Sequence, residues 1–276
     1  MHHISRLSLL SKFSSIVFGF AFLLSGCSTL SPKEPSDEEI NAEAAKAYEQ
    51  VKAKSKFSKN VEWNAMVQRV ARRIEVASGE KFAWEAVLIE SPEVNAWCMP
   101  GGKIAVYTGI MPVLKTEGAL AAVMGHEVAH ATRRHGKQRY ARAMRGNLIG
   151  VAIAGASIIG GQLLCKSQSC KLIAGLTGAA AGFAVSFFDR KFSRADESDA
   201  DEFGQVYMAR AGYDPSEAIR LWERMGEASG GKAPPEFMST HPSEENRKRN
   251  LTSWLPNAQS IYLKSPEKYG LGEMIR

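Results

Sequence analysis

The chain has 276 residues, 45% of them hydrophobic and 23% charged, an ordinary globular composition that excludes a low-complexity or disordered tract as its bulk. The length exceeds one average domain and fits a single enzyme domain with insertions. The formal net charge of +6, less Arg6 and Lys12 in an expected leader, is +4, and no aromatic-interleaved basic stripe accompanies it, so nucleic acid is not an expected partner.

Arg6 and Lys12 precede an apolar run from Phe13 to Leu24 that is too short for an ordinary membrane span and has the build of a secretory signal. It ends in Leu24-Ser25-Gly26-Cys27, which resembles a bacterial lipobox, the signal for cleavage before a Cys that becomes diacylated. Residues 1–26 are therefore expected to be a lipoprotein signal peptide. Cys27 is expected to carry the lipid, and residues 27–39 to form a polar, Pro-containing tether. Ser28 in place of Asp after the Cys resembles lipoproteins sorted to the outer membrane. The expected location is thus the periplasmic face of that membrane, with the inner membrane less favoured. In that oxidising compartment Cys165 and Cys170 are expected to close a small disulfide loop, leaving Cys98 as a buried apolar residue.

The remaining residues, 40–276, are expected to form one domain. Glu38 to Lys54 reads as a helix. A second follows, with Val61, Ala65, Val70 and Ile74 at near-helical spacing. Phe82 to Ile89 reads as a strand. Val94 to Gly109 reads as two short strands about a Pro100-Gly101-Gly102 turn, and an exposed strand there would offer a peptide an edge to pair with. A phosphate loop is not expected, since a strand and not a helix follows the glycines.

Thr116 is a plausible N-cap for a helix running from Glu117, expected to reach about Ala143. It carries His126-Glu127-Val128-Ala129-His130. Four residues apart on a helix, two imidazoles lie on one face about 5–6 Å apart, which suits two ligands of one zinc ion. Glu127 sits beside the metal without binding it, where a general base belongs. His135 falls one residue out of register for a metzincin's third His and is expected to be solvated. Residues 148–188 hold two Gly- and Ala-rich segments, expected to form a helical hairpin that packs over the domain as a lid or membrane contact.

A helix starting after Ser193 places Glu197 and Asp201 on one face. Glu197 is the expected third zinc ligand, and Asp201 an acceptor for the free N–H of a ligating His. His241, in a loop before Pro242, could reach the open zinc position as a fourth, regulatory ligand or could stabilise an oxyanion. Arg247 could support an acid of the site or bind substrate. Asp214-Pro215 introduces another helix with Ala218, Leu221 and Met225 on its apolar face.

His126 to His130, then Ser193 to Asp201, then Ser239-Thr240-His241-Pro242-Ser243 with Arg247 beyond, resemble family forty-eight of the zinc metallopeptidases, the HtpX-like gluzincins. The lipobox points to the lipoprotein and periplasmic branch similar to LoiP, YcaL and BepA. The resemblance implies a zincin-like α+β fold, predominantly helical, with a small sheet beside the metal helix. It also implies one Zn2+ per chain, with His126, His130 and Glu197 as ligands, Glu127 as catalytic base and Asp201 as supporting acid. The implied activity is that of a lipid-anchored metalloendopeptidase degrading unfolded or misassembled envelope proteins, with outer-membrane assembly machinery or other lipoproteins as possible partners. The rival from another class is a non-hydrolytic zinc lipoprotein acting as a chaperone or assembly factor. Glu127 speaks against it, since a structural zinc needs no base.

Overall fold

Ser36 starts the first helix, α1 (Asp37–Lys54), through a reciprocal capping box with Glu39. The computed structural model describes residues 34–146, 178–188, 192–229, 236–241, 247–272 and 274–275. The leader, Cys27, the Cys165/Cys170 pair and most of the 148–188 segment lie outside the described residues. The residues expected to end the tether, Asp37 to Glu39, form the first turn of α1, and their acids favour its N-terminus.

After α1 come α2 (Val61–Ser78), β1 (Glu85–Ile89), β2 (Ala96–Met99), β3 (Lys103–Tyr107), a 3-10 turn, α3 (Met111–Leu114) and α4 (Glu117–Thr132). Then follow α5 (His135–Gly146), α6 (Gly178–Phe188), α7 (Arg194–Arg210), α8 (Glu217–Ser229), α9 (Glu236–Thr240) and α10 (Arg247–Lys264). The expected class, mostly helical with a small sheet, is the observed one. The sheet has the order β1-β3-β2, with β1 parallel and β2 antiparallel to β3. Between β2 and β3 the chain turns at Gly101 and Gly102, both with left-handed φ of 77° and 82°.

Both faces of this sheet are covered. Ala86, Leu88, Ala96, Cys98, Ile104 and Val106 face α2 and α4, while Ile89, Trp97, Met99, Ala105 and Tyr107 face α1 and α6. That alternation is the period-two signature of strands buried on both sides. The expected exposed strand is corrected accordingly: β2 lies at the sheet edge, yet all four of its residues are buried. Two residues before it, the Val94 carbonyl already accepts the Phe237 N–H. Among the described residues no helix is long and apolar enough to cross a membrane, and α6 packs on α1 and α5.

Helices α4 and α7 cross where two glycines meet. A Cβ on Gly204 would lie 2.7 Å from the His126 nitrogen and 2.9 Å from its Cα, and one on Gly125 would lie 2.7 Å from the Gly204 carbonyl oxygen. These are backbone atoms that cannot swing aside. Gly204→Ala is therefore expected to lower stability by about 1–3 kcal/mol or more through overpacking, and to weaken zinc binding by separating the two helices. Denaturant titration and zinc titration check both effects. Gly226→Ala on α8, where nothing lies within 4 Å of an added Cβ, is the control and should be neutral or slightly stabilising.

Candidate metal centre

Helix α4 is buried along its whole length and capped by the Thr116 hydroxyl, which accepts the Ala119 N–H. Its 3.6-residue period stacks His126 and His130 as expected, with ring centroids 4.7 Å apart and Nε2 atoms 3.0 Å apart. Helix α7 starts with a capping box between Ser193 and Asp196 and delivers Glu197 one turn in. The Glu197 oxygens lie 3.5 Å from Nε2 of His126 and 3.5 Å from Nε2 of His130. The fourth member is His241, which follows α9 directly. Its Nδ1 is 3.2 Å from His126 Nε2 and 3.1 Å from Glu197 Oε1. One donor atom from each of these four buried residues lies within 4.8 Å of every other.

Such a set fits zinc. Tetrahedral bonds of about 2.0–2.1 Å put ligand atoms roughly 3.3 Å from one another, close to the separations seen here. The chemistry agrees, since three imidazoles and one carboxylate are hard to bury together unless a cation takes their lone pairs. Burial and the adjacent imidazoles push His130 well below its ordinary pKa, which keeps it a neutral donor. Burial works to raise Glu197, but His241, His126 and Arg247 outweigh it and hold the carboxyl down at about 2.

Glu127 points past the donors toward the sheet, where it accepts the Cys98 backbone N–H. Among the described residues its Oε1 is buried without a hydrogen-bond partner, and the nearest imidazole nitrogen is His241 Nε2 at 3.4 Å. Burial raises the Glu127 pKa against the pull of His241 and His126, which makes it a better base near neutral pH. A recess lined by Trp97, Phe187, Phe188 and Phe192 opens beside Glu127 and His241. Cys98, free and buried, has its thiol pushed up by desolvation, so it is no nucleophile.

Asp201 and Arg247 both lie against the cluster. Asp201 Oδ1 accepts from His126 Nδ1 at 2.9 Å, which leaves Nε2 as the donor toward the cluster. Arg247 donates from Nε to Asp201 and from Nη2 to Glu197 at 2.7 Å, and its guanidinium lies 3.8 Å over the Trp222 ring. It holds acids of the site and does not reach toward the recess.

The expectations for His135 and for the end of α4 are corrected here. His135 is not a solvated residue of a continuing helix: it is buried, 3.0 Å from His130 Nδ1 through its own Nδ1 and 3.1 Å from Asp199 through Nε2. The helix expected to reach Ala143 breaks after Thr132. Arg134 takes a left-handed φ of 61° there, held by bonds from its guanidinium to Asp37, Glu80 and the Thr132 carbonyl. Phe192 stacks 3.8 Å from the His130 ring. No local sequence signal marks that contact.

Comparison with known proteins supplies the lineage. The mitochondrial metalloendopeptidase OMA1 of Schizosaccharomyces pombe is 40% identical over 197 residues, covering 70% of this chain and 53% of the relative. OMA1 of Saccharomyces cerevisiae is 32% identical over 192 residues, 66% of this chain and 50% of the relative. The β-barrel assembly-enhancing protease of Escherichia coli is 28% identical over 203 residues, 73% of this chain and 40% of the relative. The chain thus spans about half the length of these relatives or less. The model of peptidase family M48 matches residues 58–255, a span that holds every residue of the cluster. The chain belongs to peptidase family M48, and His126, His130, Glu197 and His241 form its zinc site.

Proposed function

We propose that the chain is a zinc-dependent metalloendopeptidase, anchored through a lipid on Cys27 at the periplasmic face of a bacterial outer membrane. Its proposed substrates are misfolded or misassembled envelope proteins. The observation that carries the activity is the buried Glu127 carboxylate, with one oxygen unpartnered among the described residues, beside four converging donors. Bound zinc would supply Lewis acidity and bring the pKa of water down to about 7. Glu127 then takes the proton of the attacking water at Oε1 and returns it to the leaving amine. The aromatic recess seats a substrate side chain, and Asp201 and His135 hold the ligating imidazoles by their far nitrogens.

The location rests on Arg6, Lys12, the apolar run and Leu24 to Cys27. The name of the Escherichia coli relative favours outer-membrane assembly machinery as a partner, while the OMA1 relatives are mitochondrial by name. The test incubates the zinc-loaded chain with a denatured protein. Internal cleavage is expected, and binding without cleavage would overturn the proposal in favour of a chaperone.

His241 decides how fast that assay runs. With Nδ1 inside the donor cluster and its ring stacked 4.8 Å from Phe237, it occupies the position a substrate carbonyl needs. The geometry favours the fourth-ligand role over oxyanion support. His241→Ala is expected to raise turnover roughly tenfold or more, meaning that about a tenth or less of the parent molecules stand open. A fall in turnover would assign His241 to the oxyanion instead.

A further inference from the structure

We propose that His135 is a positioning residue for His130, the acceptor in a proton-ordered relay that fixes which nitrogen of His130 faces the metal. The proposal rests on the zinc site above and adds a residue to its supports. A carboxylate only accepts, so the 2.9 Å contact with Asp201 puts the His126 proton on Nδ1 and the lone pair on Nε2. Among the described residues no carboxylate meets His130 Nδ1; that nitrogen faces His135 Nδ1 at 3.0 Å. For His130 to offer a lone pair at Nε2, its Nδ1 must carry the proton, and His135 Nδ1 must accept it. The His135 proton then sits on Nε2, where Asp199 Oδ2 accepts it at 3.1 Å. Asp199 is itself held by Arg133, from Nε at 2.7 Å and Nη2 at 3.2 Å. Every donor in the relay thereby has an acceptor.

The other packing around His130 cannot do this work. Phe192 stacks on its ring face at 3.8 Å, which restrains tilt but says nothing about the proton. Without His135 the Nδ1 proton would be buried and unpaired. The alternative tautomer would aim an N–H at His126 Nε2, only 3.0 Å away. The left-handed Arg134 serves the relay by turning the chain so that the first residue of α5 looks back at α4.

Zinc affinity, measured by competition with a chromogenic chelator, separates positioning from mere packing. His135→Leu fills the space but cannot accept, and is expected to bind zinc about 10–100-fold more weakly. His135→Asn can present its amide oxygen near the Nδ1 position, and should restore affinity to within about threefold of the parent. The cobalt-substituted spectrum should be parental for the Asn variant and altered for the Leu variant. Parental affinity and spectrum in a folded His135→Leu chain would overturn the proposal. If that chain does not fold, Asp199→Ala decides, with weakened zinc binding expected and unchanged binding overturning it. A parent chain that bound no zinc would overturn the metal site itself, a different result from a relay without effect.

Discussion

Glu127→Gln is expected to cut the rate of peptide cleavage by about 10²–10⁴-fold while leaving zinc content unchanged. The amide keeps the shape of the carboxylate and can still accept the Cys98 N–H, so the surroundings of β2 have no reason to move. None of the four donors is altered, since Glu127 is not among them. What disappears is the capacity of Oε1 to take a proton. That oxygen is buried with no hydrogen-bond partner among the described residues, and burial raises the pKa of the carboxyl, so basicity is the property the fold preserves there. The loss corresponds to about 3–5 kcal/mol of barrier. A split between kcat and KM is the diagnostic: kcat should collapse while KM holds, because a base acts in the transition state and not in binding. Cleavage within a few-fold of the parent, with zinc bound, would remove Glu127 from the mechanism.

The parts of this site that are legible in the sequence are those fixed by local geometry. His126 and His130 follow from a four-residue step on one helix, and Glu197 with Asp201 from the same step on another that starts after Ser193. The hidden parts depend on contacts distant in the chain. Nothing between Thr132 and His135 is Gly or Pro, so the helix break leaves no local mark. It exists because Asp37, about a hundred residues earlier, and Glu80 tie down the Arg134 guanidinium. The contact of His135 with His130 is illegible for that reason, since a continuous helix would carry it away from His130. The burial of β2 was hidden similarly: alternation shows that a strand has two apolar faces, but not that the start of α9 closes over its entry. His241 was legible as a candidate and ambiguous in role until the placement of α9 put its Nδ1 among the donors.

Arg247→Met is expected to destabilise the metal-free chain by about 3–5 kcal/mol, an effect set by the two carboxylates it leaves behind. The guanidinium joins Glu197 and Asp201, and the three side chains are only 4%, 2% and 6% exposed. A buried ion pair adds little over a well-packed apolar replacement, but removing one partner strands a buried charge, and here one residue serves two. Met refills part of the volume and keeps contact with the Trp222 ring, so the loss reports charge more than cavity. The denaturation midpoint of the metal-free chain should fall with the slope m unchanged. Zinc should raise the midpoint in both chains by mass action, and less in the variant, since Glu197 loses the partner that aims it. The triple variant Glu197→Gln, Asp201→Asn, Arg247→Met separates charge from shape. It removes both stranded charges and should recover most of the metal-free stability while losing tight zinc binding. If the triple variant were as unstable as Arg247→Met alone, the role of Arg247 would be packing, and the two acids would owe their positions to helix α7 and not to the shared cation.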